Sequence, residues 1–249
     1  MLLTLDIGNT NIKSALFEDE RLIELIVHSE ADRAINYLNE STFTEAAICS
    51  VNPRVEKSLT EIISSKGIKA FIANIQDKFS FKINYETPET LGMDRVCSAT
   101  GAFEIATREK LLSSNQFLII IDFGTATTIN IVSPLREFIG GLIAPGITTM
   151  LKSLNEKTAQ LPLTDLKSYK GFIGNSTQSS IISGVMASTV GMINETIYHL
   201  SELSNQNMPI LFTTGGNAKH VLPQLKYKVL FEEALVLKGL KVIYDMNKS

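Results

Sequence analysis

The sequence holds only two cysteines, Cys49 and Cys97, and three histidines, His28, His199 and His220, scattered singly. A zinc site needs more thiolate and imidazole ligands close together than this chain can supply. Both cysteines stand beside apolar residues, in AAICSV and RVCSAT, so two reduced, partly buried thiols in a reducing compartment are expected. No apolar run approaches the ~20 residues of a membrane helix. No run of lysine and arginine could track a phosphate backbone, and a net charge of −3 argues against a nucleic-acid partner. The opening MLLTLDIGN has no basic stretch and meets an aspartate at position 6, so no signal peptide is expected. These absences point to a cytoplasmic protein with neither a nucleic-acid nor a membrane partner.

What is present is ordinary material for a globular fold: 249 residues, 44% hydrophobic and 20% charged. At this length folding buries roughly 70–75% of the unfolded surface, enough for a core without staples. Residues 2–5 read as a strand that halts at Asp6-Ile7-Gly8-Asn9-Thr10 and resumes over 12–17. A polar tip at 18–20 precedes a strand over 22–27. Helices are expected over 32–38 and 55–64, and short strands over 46–51 and 68–73. Strands alternating with helices indicate an α/β fold.

About half the chain later, the opening pattern returns. Leu118-Ile119-Ile120-Ile121-Asp122-Phe123-Gly124-Thr125-Ala126-Thr127 repeats an apolar strand followed by Asp, x, Gly and small polar residues. Two copies of one pattern imply a duplicated domain, with a join near residues 113–115 and domains over 1–114 and 115–249. Strands are expected at 128–132, 137–142 and 210–213, and helices at 149–155, 179–203 and 235–246.

Each copy places an aspartate at the C-terminal end of a strand, with glycine allowing the backbone to turn closely. Successive N–H groups and the Asn and Thr side chains can then surround a phosphate. The carboxylate repels phosphate but can hold Mg²⁺, which bridges to it. An ordinary hairpin turn is the competing reading for each copy alone. Thr213-Thr214-Gly215-Gly216-Asn217 forms a third glycine turn after a strand, and Gly140-Gly141-Leu142-Ile143-Ala144-Pro145-Gly146 reads by default as a structural corner. Asp94-Arg95 stands before a helix expected over 96–112, where Asp is also a preferred N-cap.

In this order the three loops resemble those of the superfamily of acetate and sugar kinases, heat-shock chaperones and actin. That resemblance implies two duplicated RNase H-like, actin-like ATPase domains with ATP in the cleft between them. The further set DIGNTNIK, YETPETLGMDR, IDFGTATTINIV, GGLIAPG, NST and TTGGNA resembles type III pantothenate kinases across the chain. The resemblance implies ATP-dependent phosphorylation of pantothenate to 4′-phosphopantothenate, the first step toward coenzyme A. It implies ATP binding by Asp6, Ile7, Gly8, Asn9, Thr10, Asn11, Ile12, Lys13 and Thr125. Asp94 becomes the proton acceptor, and Tyr85, Gly92, Met93 and Arg95 line the pantothenate site, Arg95 facing the carboxylate. Asp122 takes a monovalent cation, K⁺ or NH₄⁺, while Asp6 is a candidate for Mg²⁺. Thr177 contacts pantothenate from a second copy in a homodimer with composite sites. The helix over 179–203 fits such an interface through Ile181, Ile182, Val185, Val190, Ile193 and Ile197, with the small Gly184, Ser188 and Gly191; an internal core helix is the other reading. Two alternatives stand beside this function: a kinase of the same superfamily with another small acceptor, and a regulatory homologue of the Bordetella accessory factor type.

Overall fold

The computed structural model describes residues 1–248. The chain opens with strands β1 (Leu2–Ile7), β2 (Ile12–Glu18) and β3 (Arg21–His28), then α1 (Ala31–Glu40), β4 (Glu45–Ser50) and α2 (Pro53–Ser65). Two short strands, β5 (Phe71–Ile72) and β6 (Lys82–Ile83), precede a 3-10 turn at Pro88–Thr90 and helix α3 (Met93–Arg108). The second series runs β7 (Leu118–Phe123), β8 (Ala126–Val132), β9 (Glu137–Pro145), α4 (Ile147–Lys157) and the long α5 (Thr177–Leu203). It closes with β10 (Ile210–Thr214), α6 (Ala218–Val221), β11 (Leu230–Phe231) and α7 (Leu235–Asn247).

The two sheets repeat one topology. The first has the order β3-β2-β1-β4-β5, and the second has β11-β10-β7-β8-β9, extended by β6. In each, an antiparallel hairpin leads to a central first strand, which pairs in parallel with the strand after the crossover. This is the duplicated RNase H-like α/β architecture of actin-like ATPases.

Packing divides the described residues into two compact units: 1–112 with 136–139 and 234–248, and 113–135 with 140–233. In the first unit, Leu3, Leu5 and Ile7 alternate along one face of β1. They meet Leu38 from α1 and Leu59 and Ile63 from α2, each contributing roughly 1.5–3 kcal/mol on burial. The terminal helix α7 joins this unit by close approach to α3: a Cβ on Gly101 or Gly239 would strike the backbone of the other helix. In the second unit, Ile119, Ile121 and Phe123 of β7 pack with Ile182, Val185, Met186, Ile193 and Ile197 of α5. The apolar residues expected to offer interface surface on α5 are thus largely core of their own chain, because the strand face of β7 needs their cover. The small residues Gly184, Ser188 and Gly191 occupy its exposed face.

Three local expectations shift. The strand expected over 68–73 shortens to the two residues of β5, whose parallel partner is the end of β4. α3 begins at Met93 rather than Val96, because the 3-10 turn at Pro88–Thr90 already curls the chain and Gly92 takes the N-cap position. Asp94 therefore lies within the first turn and is not the cap. Among the described residues, no helix is long and apolar enough to cross a membrane.

Candidate active site

In the first unit, Asp6 sits one residue from the end of β1, in register with Lys13 on β2 and Cys49 on β4. The turn between the strands is closed by the Gly8 N–H donating to the Asn11 carbonyl at 3.1 Å. Asn9, Thr10 and Asn11 are exposed at its tip, whereas the side chains of Ile7 and Ile12 are buried in the core. Those two residues can meet a ligand only through their backbone.

The Leu91-Gly92-Met93-Asp94-Arg95 segment lies on the entry to α3. The Asp94 Oδ1 accepts the Arg95 N–H at 2.8 Å, and Gly92 leaves room for that carboxylate: a Cβ there would stand 2.5 Å from the same oxygen. Burial pushes the Asp94 carboxyl above its usual value, against the opposing pull of the Arg95 N–H and guanidinium. Burial outweighs that pull and sets the direction of the shift. Cys49 and Cys97 are both fully buried. The Cys49 thiol is pushed well above its usual range, first by a hydrogen bond with Cys97, then by burial and by the charges of Cys97, Asp6 and Asp94. Asp6 and Asp94 therefore lie within electrostatic reach of one buried thiol. Met93 is buried, Tyr85 is half-buried, and Arg95 is only 7% exposed. Its guanidinium carbon lies 5.8 Å from the Tyr85 ring centroid and 5.6 Å from that of Phe138. Phe138 comes from β9, and sequence spacing gives no signal for it.

In the second unit, Asp122 holds the equivalent place on β7, in register with Thr128 on β8 and Thr214 on β10. The Gly124 N–H donates to the Ala126 carbonyl at 3.1 Å. Two further segments surround this turn. The Thr125 carbonyl accepts the Gly146 N–H at 2.9 Å and the Thr149 hydroxyl at 2.7 Å. A Cβ on Gly146 would collide with the carbonyls of Gly124 and Thr125. Gly215, at φ +94°, brings its backbone against Asp122 Oδ1 and the Phe123 amide, and the Asn217 N–H donates to the Phe123 carbonyl at 3.2 Å. The corner expected at 140–146 is therefore also a prop for the Asp122 loop. Its signal was the glycine that ends it. Thr177 is exposed at the start of α5, next to a capping box in which the Ser176 hydroxyl accepts the Ser179 N–H.

At Gly215 the Asp122 carboxylate and the Phe123 backbone fill the space a Cβ would take, whereas the neighbouring Gly216 has nothing within 4 Å and leaves its backbone open to close approach. Among the described residues, no group of three or more His, Cys, Asp and Glu could hold a metal. A divalent ion here would draw most of its ligands from phosphate and water, as Mg²⁺ at kinase sites does.

The type III pantothenate kinase family profile matches residues 2–199. A type III pantothenate kinase of Finegoldia magna is 31% identical over 100% of this chain and 98% of its own. Among solved structures, one from Campylobacter jejuni, named as a candidate Baf family transcriptional activator, superposes with TM-score 0.62 at 21% identity, covering 98% of each chain. A candidate N-acetylmannosamine kinase from Listeria monocytogenes superposes with TM-score 0.54 at 13% identity, over 100% of this chain and 99% of its own. At these identities the two structures speak for the fold alone.

Proposed function

The chain belongs to the type III pantothenate kinase family, and from that premise we propose that it transfers the γ-phosphoryl group of ATP to the primary hydroxyl of pantothenate, with Asp94 accepting the proton. The observation that carries this role is the placement of Asp94: a largely buried carboxylate with a raised pKa, oriented by the Arg95 N–H. A general base works best when its pKa approaches the working pH, and burial moves Asp94 that way.

Phosphoryl transfer depends on positioning and charge neutralisation more than on covalent help. The turn at Gly8, Asn9, Thr10 and Asn11 offers backbone N–H groups and short polar side chains to the ATP phosphates, with Lys13 adding positive charge, Ile7 and Ile12 contributing backbone only, and Thr125 serving from the second loop. Asp6 is assigned to Mg²⁺ and Asp122 to K⁺ or NH₄⁺; these cations supply charge neutralisation when bound. Tyr85, Gly92, Met93 and Arg95 form the pantothenate pocket, Arg95 pairing with its carboxylate. Thr177 reaches pantothenate from a second copy in a cytoplasmic homodimer, and the exposed Gly184, Ser188 and Gly191 are the face through which two α5 helices approach. Residues 1–114 and 115–249 are the two copies of the ancestral duplication.

The test is ADP release by the purified chain with ATP, Mg²⁺ and K⁺, with pantothenate set against other small hydroxylated acceptors. Pantothenate-dependent release is expected. Release stimulated only by another acceptor would move the function to a neighbouring kinase class, and no acceptor-dependent release would favour a binding role.

A further inference from the structure

Arg95 is a cation buried among rings, and a buried guanidinium must have its faces packed and its edges satisfied. One wall of its niche is Tyr85, ten residues earlier and part of the same motif. The other is Phe138, fully buried and carried on β9, which the chain reaches only after the second phosphate loop. Residues 136–139 nonetheless pack within the first unit. The reason is the parallel pairing of β6 with the start of β9: Ile83 is in register with Phe138, and the Asn84 N–H donates to the Phe138 carbonyl at 2.9 Å.

The two rings stand 6.2 Å apart at 63°, so they form two differently inclined walls. Phe138 is itself backed by Phe81, nearly parallel at 25° and 6.2 Å, and Phe81 by Phe103 of α3 at 6.0 Å. Both distances to the Arg95 guanidinium fall inside the ~6 Å reach of a cation–π contact. A long side chain held this way loses little further freedom when it binds an anion.

We propose that Phe138 is a positioning residue for substrate recognition: with Tyr85 it fixes the Arg95 guanidinium in the orientation that receives the carboxylate of the acceptor. The inference rests on the pantothenate kinase reading and deepens it. It assigns a specificity role to a residue outside every nucleotide- and acceptor-binding motif of the sequence, delivered to the pocket by one strand pairing.

The experiment is steady-state kinetics of Phe138→Leu, which keeps apolar bulk and removes the ring. The KM for pantothenate is expected to rise about ten-fold, with kcat and the KM for ATP within about two-fold of the parent. In an Arg95→Lys background the same substitution is expected to change pantothenate KM by less than about two-fold, because the ring then has no planar cation to hold. Where turnover there is too slow, pantothenate titration calorimetry gives the same comparison. Should Phe138→Leu fold poorly, the volume-conserving Phe138→Met is measured in its place. An equal rise in both backgrounds, a parallel shift of kcat and both KM values, or an unchanged pantothenate KM would each overturn the proposal. Failure of the underlying reading is distinguishable: the unsubstituted chain would then release no ADP in response to pantothenate, before any variant is compared.

Discussion

Between the last paired residues Ile7 and Ile12 the first hairpin turns through residues 8–11, and between Phe123 and Thr127 the second turns through residues 124–126, so the second turn is one residue shorter than the first. Both follow an aspartate one position from the strand end. The first is closed by its own hairpin bond and presents exposed amide and hydroxyl side chains. The second is gripped from outside: Gly146 and Thr149 hold its Thr125 carbonyl, and Gly215 lies against its aspartate. A repeated motif has thus diverged into an open loop and a clamped one. The chemistry around them differs as well, since the first unit carries the buried carboxylate at the entry to α3, while in the second the entry to α5 carries a neutral capping box.

The sharpest way to probe this asymmetry is to remove the carboxylate that has no counterpart. Asp94→Asn is expected to fold and to lose turnover on the order of 10²-fold or more. Near-parental turnover in a folded variant would remove Asp94 from the base role. Its pH dependence has a definite sign. Burial raises the folded pKa above the ordinary 3.8. The charged form therefore costs stability above the unfolded value, and that cost is relieved as pH falls through the folded pKa. Activity runs the other way: kcat/KM is lost as pH falls through the raised pKa. The acid limb of the parent profile is expected above the ordinary carboxylate position, and a limb at or below 3.8 would contradict burial as the controlling influence.

The clamp itself can be broken with one methyl group. At Gly215 a Cβ meets both a left-handed φ and the Asp122 carboxylate, whereas at Gly216 it meets nothing within 4 Å. Gly215→Ala should cost on the order of 1–3 kcal/mol in thermal or urea unfolding and raise the KM for ATP. Gly216→Ala should stay within about 0.5 kcal/mol of the parent, because its φ is not in the left-handed region and its Cβ has open space. Equal effects at the two neighbours would show that the second loop is not clamped as described.

The two aspartates can be separated by their ions. Asp122→Ala is expected to abolish stimulation by K⁺ or NH₄⁺ while Mg²⁺ remains required, and Asp6→Ala to weaken the Mg²⁺ requirement's apparent affinity. Full parental activity in sodium-only buffer, with no gain on adding K⁺, would count against the assignment. The mildest effect on the isolated fold is expected from Gly184→Leu, because the added side chain has open space in its own chain. If the exposed α5 face forms a two-fold contact, overpacking there costs the dimer about 1–3 kcal/mol. Dimer and pantothenate affinity should then fall together in sedimentation and titration. A monomer with normal pantothenate binding would confine each site to one chain.

The strands with strong apolar patterns were legible because alternation and flanking glycine specify them locally. The segment over 68–73 was less so: only Phe71 and Ile72 find a partner, and pairing is a property of β4 as much as of that segment. At the start of α3, the Asp-Arg pair carried both a capping and a catalytic reading. The 3-10 turn starts the helix three residues earlier than expected, so the cap falls to Gly92 and not to Asp94.

By itself, the sequence determined the duplicated α/β pattern, the two Asp-x-Gly turns and the Leu-Gly-x-Asp-Arg motif, because each is written in residues close together along the chain. Tertiary structure alone decided which of these residues are buried, and burial sets the direction of the Asp94 shift. It also decided that α7 returns to the first unit, that Gly146 and Gly215 clamp the second turn, and that Phe138 walls Arg95. The physical reason is the same in each case: these contacts join segments far apart in sequence, and close backbone approach or cation–ring packing exists only after the strands have chosen their neighbours.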